Sequence, residues 1–154
     1  MNIVLVEPEI PPNTGNVARL CAATNTTLHL IEPLGFKLDD AQLKRAGMDY
    51  WQHVRWHRWQ NWSAFAETVK TDAQLWFIES GGPKRYDEVA FAADDYLVFG
   101  RETAGLPKQL LHENRDRWLR IPMFSPSSRS LNLSNCVAVV LFEALRKWRF
   151  SGEI

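Results

Sequence analysis

The chain has 154 residues, 45% hydrophobic and 23% charged, values that fit one soluble domain with its own core. Lysine plus arginine equal aspartate plus glutamate at 18 each, so a whole-molecule basic field is excluded and any nucleic-acid contact must come from local patches. No stretch approaches the roughly 20 apolar residues that span a bilayer, and the start lacks a basic, then apolar, leader, so a cytoplasmic protein with no membrane role is expected.

Residues 2–6 form a short β-branched run, the pattern of a buried parallel strand. Pro8, Pro11 and Pro12 force an extended loop. Asn13 or Thr14 then caps a helix to about Ala23, with Val17, Leu20 and Cys21 on one face. Leu28 to Ile31 reads as the second strand, and Asp39 or Asp40 caps a helix that Gly47 ends. The stretch 50–62, with Trp51, Trp56, Trp59 and Trp62 among His53, Arg55, His57 and Arg58, reads as a short strand or loop before a helix near 62–70. Further strands are expected at Leu75 to Ile78, Tyr96 to Phe99 and Trp118 to Ile121, five in all, each stopped by glycine or proline. A last helix over about 133–149 carries Val137, Val140, Leu141, Ala144, Leu145 and Trp148 on one face. Strands alternating with helices predict a mostly parallel sheet flanked by helices, as one domain over 1–154 without repeats or linkers.

In such sheets ligands bind beyond the carboxyl ends of the strands. Three loops fit: Asn13-Thr14-Gly15-Asn16 with Arg19 one turn on; Phe99 to Pro107; and Ile121-Pro122-Met123 followed by Ser127 to Asn135. Glycine lets a backbone approach a ligand, and helix N-termini offer free N–H groups to anions. Each loop alone is a common turn, and Ser134 with Asn135 is a common helix cap. Three such loops in one small domain, each with an arginine, point to a binding site.

The strings Asn13 to Arg19, Phe99 to Pro107 and Arg129 to Asn135 resemble the three motifs of the SPOUT methyltransferases, most closely the branch that methylates the ribose 2′-oxygen of cytidine or uridine in tRNA. Glu7 to Pro12, Glu32 to Phe36 and Arg45 to Tyr50 are also similar, so the resemblance covers the whole chain. It implies a deep trefoil knot in the C-terminal half, a feature that composition and spacing do not show. It further implies S-adenosylmethionine as methyl donor and no metal. The donor would be held near Ile78, Gly100, Glu102, Gly105, Ile121, Met123, Ser130 and Leu131. The implied substrate is the wobble nucleotide in a tRNA anticodon stem-loop, and the implied assembly is a homodimer packed through the first and last helices. Arg19 becomes the catalytic candidate, and Asn16, Arg101, Arg129, Asn132 and Asn135 become RNA or partner contacts. The chain departs from its relatives at Arg101, where they often have proline, at Ala104, where they often have arginine, and at Phe142, where they often have tyrosine.

Methyl transfer from a sulfonium is an in-line displacement that needs alignment of the 2′-oxygen and removal of its proton. Arg19 stays protonated, so its expected role is to grip a phosphate and favour the developing alkoxide rather than to act as a base. The alternative is a surface arginine. Glu102 has three readings: a cap for the next helix, a partner contact, or a cofactor contact. Arg129 and Asn132 hold either RNA or a structural loop network, and Ser130 either the cofactor or a loop cap. His53 and His57 lack a third metal ligand nearby, and Cys21 and Cys136 read as core thiols. The tryptophans of 51–62 either stack on bases or cover the sheet or dimer, the latter preferred. Arg115, Arg117, Arg120 and Arg146, Lys147, Arg149 read as solvated faces unless they bind phosphate. The rival functions are a non-catalytic RNA-binding protein on the same scaffold and an NAD enzyme, against which the missing G-x-G-x-x-G in the first βα turn counts.

Overall fold

A computed structural model describes residues 1–38 and 51–154. The helix expected from Asp39 or Asp40 to Gly47, and the similar string Arg45 to Tyr50, lie outside the described residues. The strands are β1 (Asn2–Val6), β2 (Thr27–Ile31), β3 (Trp56–Trp59), β4 (Leu75–Ile78), β5 (Lys84–Arg85), β6 (Tyr96–Phe99) and β7 (Trp118–Arg120). The helices of the α type are α1 (Pro11–Ala23), α2 (Trp62–Ala66), α3 (Lys108–Glu113) and α4 (Leu133–Lys147). One seven-stranded sheet runs β3-β2-β1-β6-β4-β7-β5, and every pair in it is parallel. Beyond the five expected strands, β3 lies in the stretch 50–62, read as a short strand or loop, and β5 has no counterpart in the sequence reading.

Alternation along the strands builds a core on each face. Ile3, Leu5, Leu28, Leu30, Leu97 and Phe99 face α1 and α4, which contribute Val17, Cys21, Val137, Val140, Leu141 and Ala144. Val4, Val6, Ile31, Phe77 and Val98 face Phe65 of α2 and Leu111 of α3. Both faces are apolar because a parallel sheet is covered twice, so its strands read as continuous hydrophobic runs. The tryptophans belong to this covering layer. Trp51 and Trp56 pack against the first core, and Trp59 and Trp62 against the second.

Several sequence expectations need correction. Neither Asn13 nor Thr14 caps α1. The cap position is Ile10, and Pro11 and Pro12 open the helix, where a missing N–H costs nothing. Thr14 is buried, and its Oγ1 has no hydrogen-bond partner among the described residues. Asn132, not Ser134 or Asn135, caps α4, accepting from Ser134 N at 2.9 Å. Arg120 and Lys147 are not merely solvated. Arg120 donates to the carbonyls of Gly82 and Pro83, tying that loop to the sheet, and Lys147 donates to those of Asp87 and Val89, tying that loop to α4.

His29 sits buried in β2 among His57, Trp59, Phe65 and Tyr96. Trp59 Nε1 can only donate, so His29 Nδ1 accepts from it at 3.1 Å and Nε2–H is left to donate to Asn2 Oδ1 at 3.3 Å. Burial and the adjacent His57 push its pKa down from 6.5 to about 4. The unfolded chain thus takes up a proton below pH 6.5 that the folded chain refuses until about pH 4, so stability falls as pH drops through this window. The gap is worth about 3 kcal/mol. We expect His29→Gln, followed by chemical denaturation across this range, to remove a loss of that size. An unchanged pH slope in the variant contradicts the assignment.

Candidate active site

β1, β6, β4 and β7 lie side by side in the sheet, and the segments at their carboxyl ends border one crevice. The three polar loops meet there around a cavity of about 570 Å³, a size suited to a small-molecule ligand. All eight residues proposed from sequence for the cofactor line it: Ile78, Gly100, Glu102, Gly105, Ile121, Met123, Ser130 and Leu131. Arg101, Arg129 and Asn132 line it too. Arg19, Asn16 and Asn135 do not. Arg19 and Asn16 are exposed one turn apart on α1, and Asn135 is exposed on α4.

Carboxylates assemble the wall. Glu102 accepts from the backbone N–H of Glu9 at 2.8 Å and of Ile10 at 3.1 Å, and from Asn13 Nδ2 at 3.3 Å. It therefore serves donors at the start of α1, not the helix that follows it in sequence. Glu9 returns the contact, accepting from Thr103 N at 3.0 Å and from Thr103 Oγ1. These bonds hold the Glu9 carboxyl below its ordinary pKa. Arg101 pairs with Glu7 at 3.0 Å, so the guanidinium that departs from the family pattern braces the same two loops. Asn132 extends the wall to the third loop, donating to Asn13 Oδ1 at 2.9 Å while it caps α4. For Asn132 the loop-network reading is the observed one.

Sequence reasoning misses Glu79, whose only signal is an acid placed directly after an apolar strand. Its Oε2 accepts from Leu106 N at 3.0 Å and its Oε1 from Ser80 N at 2.8 Å, stitching β4 to the loop after β6. Two glycines make this stitch possible. A Cβ on Gly100 would lie 2.2 Å from the Gly105 carbonyl carbon, and one on Gly105 (φ 66°) would lie 2.1 Å from Glu79 Oε2. Arg101 and Gly105 exchange backbone hydrogen bonds across this tight loop.

Ile78, Phe99, Ile121 and Leu131 give the cavity apolar lining beside the polar loop residues. That combination fits an adenosyl group, which needs an apolar slot and hydrogen-bonding backbone. Cys136 also borders the cavity, and burial raises its pKa, while Cys21 is buried in the core and pushed up to about 12, so neither is an activated nucleophile. Among the described residues no three His, Cys, Asp or Glu side chains gather as a metal site.

Fold and site together define the class, an α/β methyltransferase of the SPOUT type. The chain belongs to the SpoU rRNA Methylase family, whose model matches residues 1–142. It is 53% identical over 155 residues to a tRNA (cytidine(34)-2′-O)-methyltransferase of Saccharophagus degradans, covering 99% of this chain and 98% of that protein. A solved structure concerned with 2-OH methylation of C/U34 on tRNA is 44% identical with a TM-score of 0.90, covering 97% of this chain and 96% of that one. The SpoU methyltransferase AviRb of Streptomyces viridochromogenes, solved with AdoMet, shares the fold at 23% identity and a TM-score of 0.78, covering 99% of this chain and 61% of that one.

Gly100→Ala forces its methyl into the backbone of the facing strand of the loop. We expect a loss of about 1–3 kcal/mol in denaturant unfolding, together with a sharp fall in adenosyl-cofactor affinity by calorimetry. Wild-type stability and affinity in this variant would contradict the described loop geometry.

Proposed function

We propose that residues 1–154 act as one methyltransferase domain that moves a methyl group from S-adenosylmethionine to the 2′-hydroxyl of the wobble cytidine or uridine of tRNA in the cytoplasm. The observation that carries this reading is the cavity, formed by all three motif loops and lined by every residue assigned to the cofactor. The match over nearly the full length to a relative of that activity supports the substrate. A trefoil knot through these loops is part of the reading, supported by the fold shared with SpoU methyltransferases.

Bound in the cavity, S-adenosylmethionine supplies an electrophilic methyl group. Ile78, Ile121 and Leu131 exclude water from its apolar portion, and the tightly folded backbone at Gly100 and Gly105 presents polar groups to it. Arg129, exposed on the cavity rim, attracts the phosphates beside the target ribose. Arg19 grips RNA and stabilises negative charge on the 2′-oxygen as its proton passes to solvent; the methyl would leave sulfur for that oxygen, releasing S-adenosylhomocysteine.

A homodimer belongs to the same reading. On α4, Asn135, Val139, Phe142 and Arg146 form one exposed face, with Val139 38% and Phe142 48% exposed; Ile10, just before α1, is 42% exposed. Burying this strip against a second copy removes apolar surface from water. It also accounts for Arg19, which stands about 9 Å further along α1 than the wall residue Asn13 and outside its own cavity. Across a dimer, Arg19 serves the cavity of the second copy. Among the described residues no helix is long and apolar enough to cross a membrane.

The test is turnover of labelled methyl on tRNA by wild type and Arg19→Ala, with cofactor affinity measured beside it. We expect unchanged affinity and a loss of about a hundredfold or more in turnover, the scale of one lost electrostatic stabiliser. Wild-type turnover in Arg19→Ala rejects the role of Arg19. Cofactor binding by wild type without methyl transfer favours a binding protein on this scaffold.

A further inference from the structure

Phe124 is 95% exposed, so nearly its whole ring is open to a partner. It follows Met123, which lines the cavity, and precedes Arg129, Ser130 and Leu131, which line it as well. The ring therefore stands at the cavity rim. It is held there by a closed turn directly behind it. Ser125 Oγ meets Ser127 Oγ at 2.8 Å, Ser127 N donates to Ser125 Oγ, and Ser128 N donates to the Ser125 carbonyl at 3.3 Å. Pro122 and Pro126, each with its own φ fixed, bracket the segment that carries the ring.

We infer that Phe124 is a substrate-positioning residue that stacks on the nucleobase of the nucleotide being methylated; this rests on the function proposed above. A ribose that enters the cavity mouth leaves its base outside, next to the rim. Every base has a π-face, so stacking accepts cytidine and uridine alike and supplies hold without base-specific hydrogen bonds. The neighbours of the ring favour RNA over a second protein copy as occupant. Along the chain these are Ser125, Ser127, Ser128, Arg129 and Ser130, a polar and basic stretch suited to a phosphate backbone. The apolar surface suited to a second copy lies instead on α4, at Val139 and Phe142.

The experiment is steady-state methylation of an anticodon stem-loop by wild type, Phe124→Ala and Phe124→Trp, with cofactor affinity and sedimentation measured on each. Loss of one stacked base predicts a rise of about tenfold in KM for RNA in Phe124→Ala, with kcat and cofactor affinity within about twofold of wild type, and recovery in Phe124→Trp. On a stem-loop whose target nucleotide lacks its base, wild type and Phe124→Ala should share one KM, because the partner of the ring is gone. An unchanged KM in Phe124→Ala overturns the proposal, as does a penalty that persists on the base-less RNA. Dissociation of the assembly in Phe124→Ala also overturns it and assigns the ring to a second copy. A wild-type chain that methylates no tRNA overturns the parent reading, and this proposal falls with it.

Discussion

Two carboxylates that cross between loops 93 residues apart hold this molecule's site together: Glu102 on the N–H groups of Glu9 and Ile10, and Glu9 on Thr103. The chain leading into α1 presents the N–H groups of Glu9 and Ile10, and a buried N–H left unpaired costs on the order of 1–3 kcal/mol. Glu102 satisfies them and in doing so fixes the loop after β6 against the loop after β1. Asn13, itself bonded to Glu102, passes the connection to Asn132, and Asn132 caps α4. Loops far apart in sequence thus become one wall, and α1 and α4 are set by the same network that shapes the cavity.

Much of the fold is legible in the sequence. The runs at 3–6, 75–78 and 96–99 are apolar on both faces because the sheet is covered twice, and their shortness and the glycine or proline that follows mark them as strands. The amphipathic pattern of 133–147 is equally plain. What escapes is what lacks a local signal. In β3, Trp56 and Trp59 are half-buried while His57 and Arg58 are exposed, so the edge strand shows neither alternation nor a continuous run. In β5 only Lys84 and Arg85 take part, both exposed, and they pair with β7. The caps fail for a related reason. Asn13 and Thr14 have the composition of a cap, but prolines two residues earlier start the helix, and the true acceptor comes from residue 102.

The loops that border the cavity were legible, because glycine after a strand marks a close backbone approach; the individual lining residues came from the family resemblance. The roles within the wall were not legible. Glu102, Asn132 and Arg101 all border the cavity, yet each spends its polar atoms on another loop, which only the folded distances reveal. Glu79 does the same and has no motif to announce it. The division of labour follows from the geometry. Ionised side chains build and orient the wall, while Ile78, Phe99, Ile121 and Leu131 give the cavity an apolar lining. The basic groups fit for RNA, Arg19 and Arg129, stand on the outside of the helix and at the rim.

This account makes the cavity a methyl-donor site that serves a tRNA ribose. The most direct test is reaction of the protein with labelled S-adenosylmethionine and unmodified tRNA, followed by nucleoside mass spectrometry with mapping of the methylated position. The account predicts a 2′-O-methylated cytidine or uridine at the wobble position. A methyl group on a base, or on a ribose elsewhere, would contradict the assigned substrate; no methyl transfer from a bound donor would contradict the assigned activity.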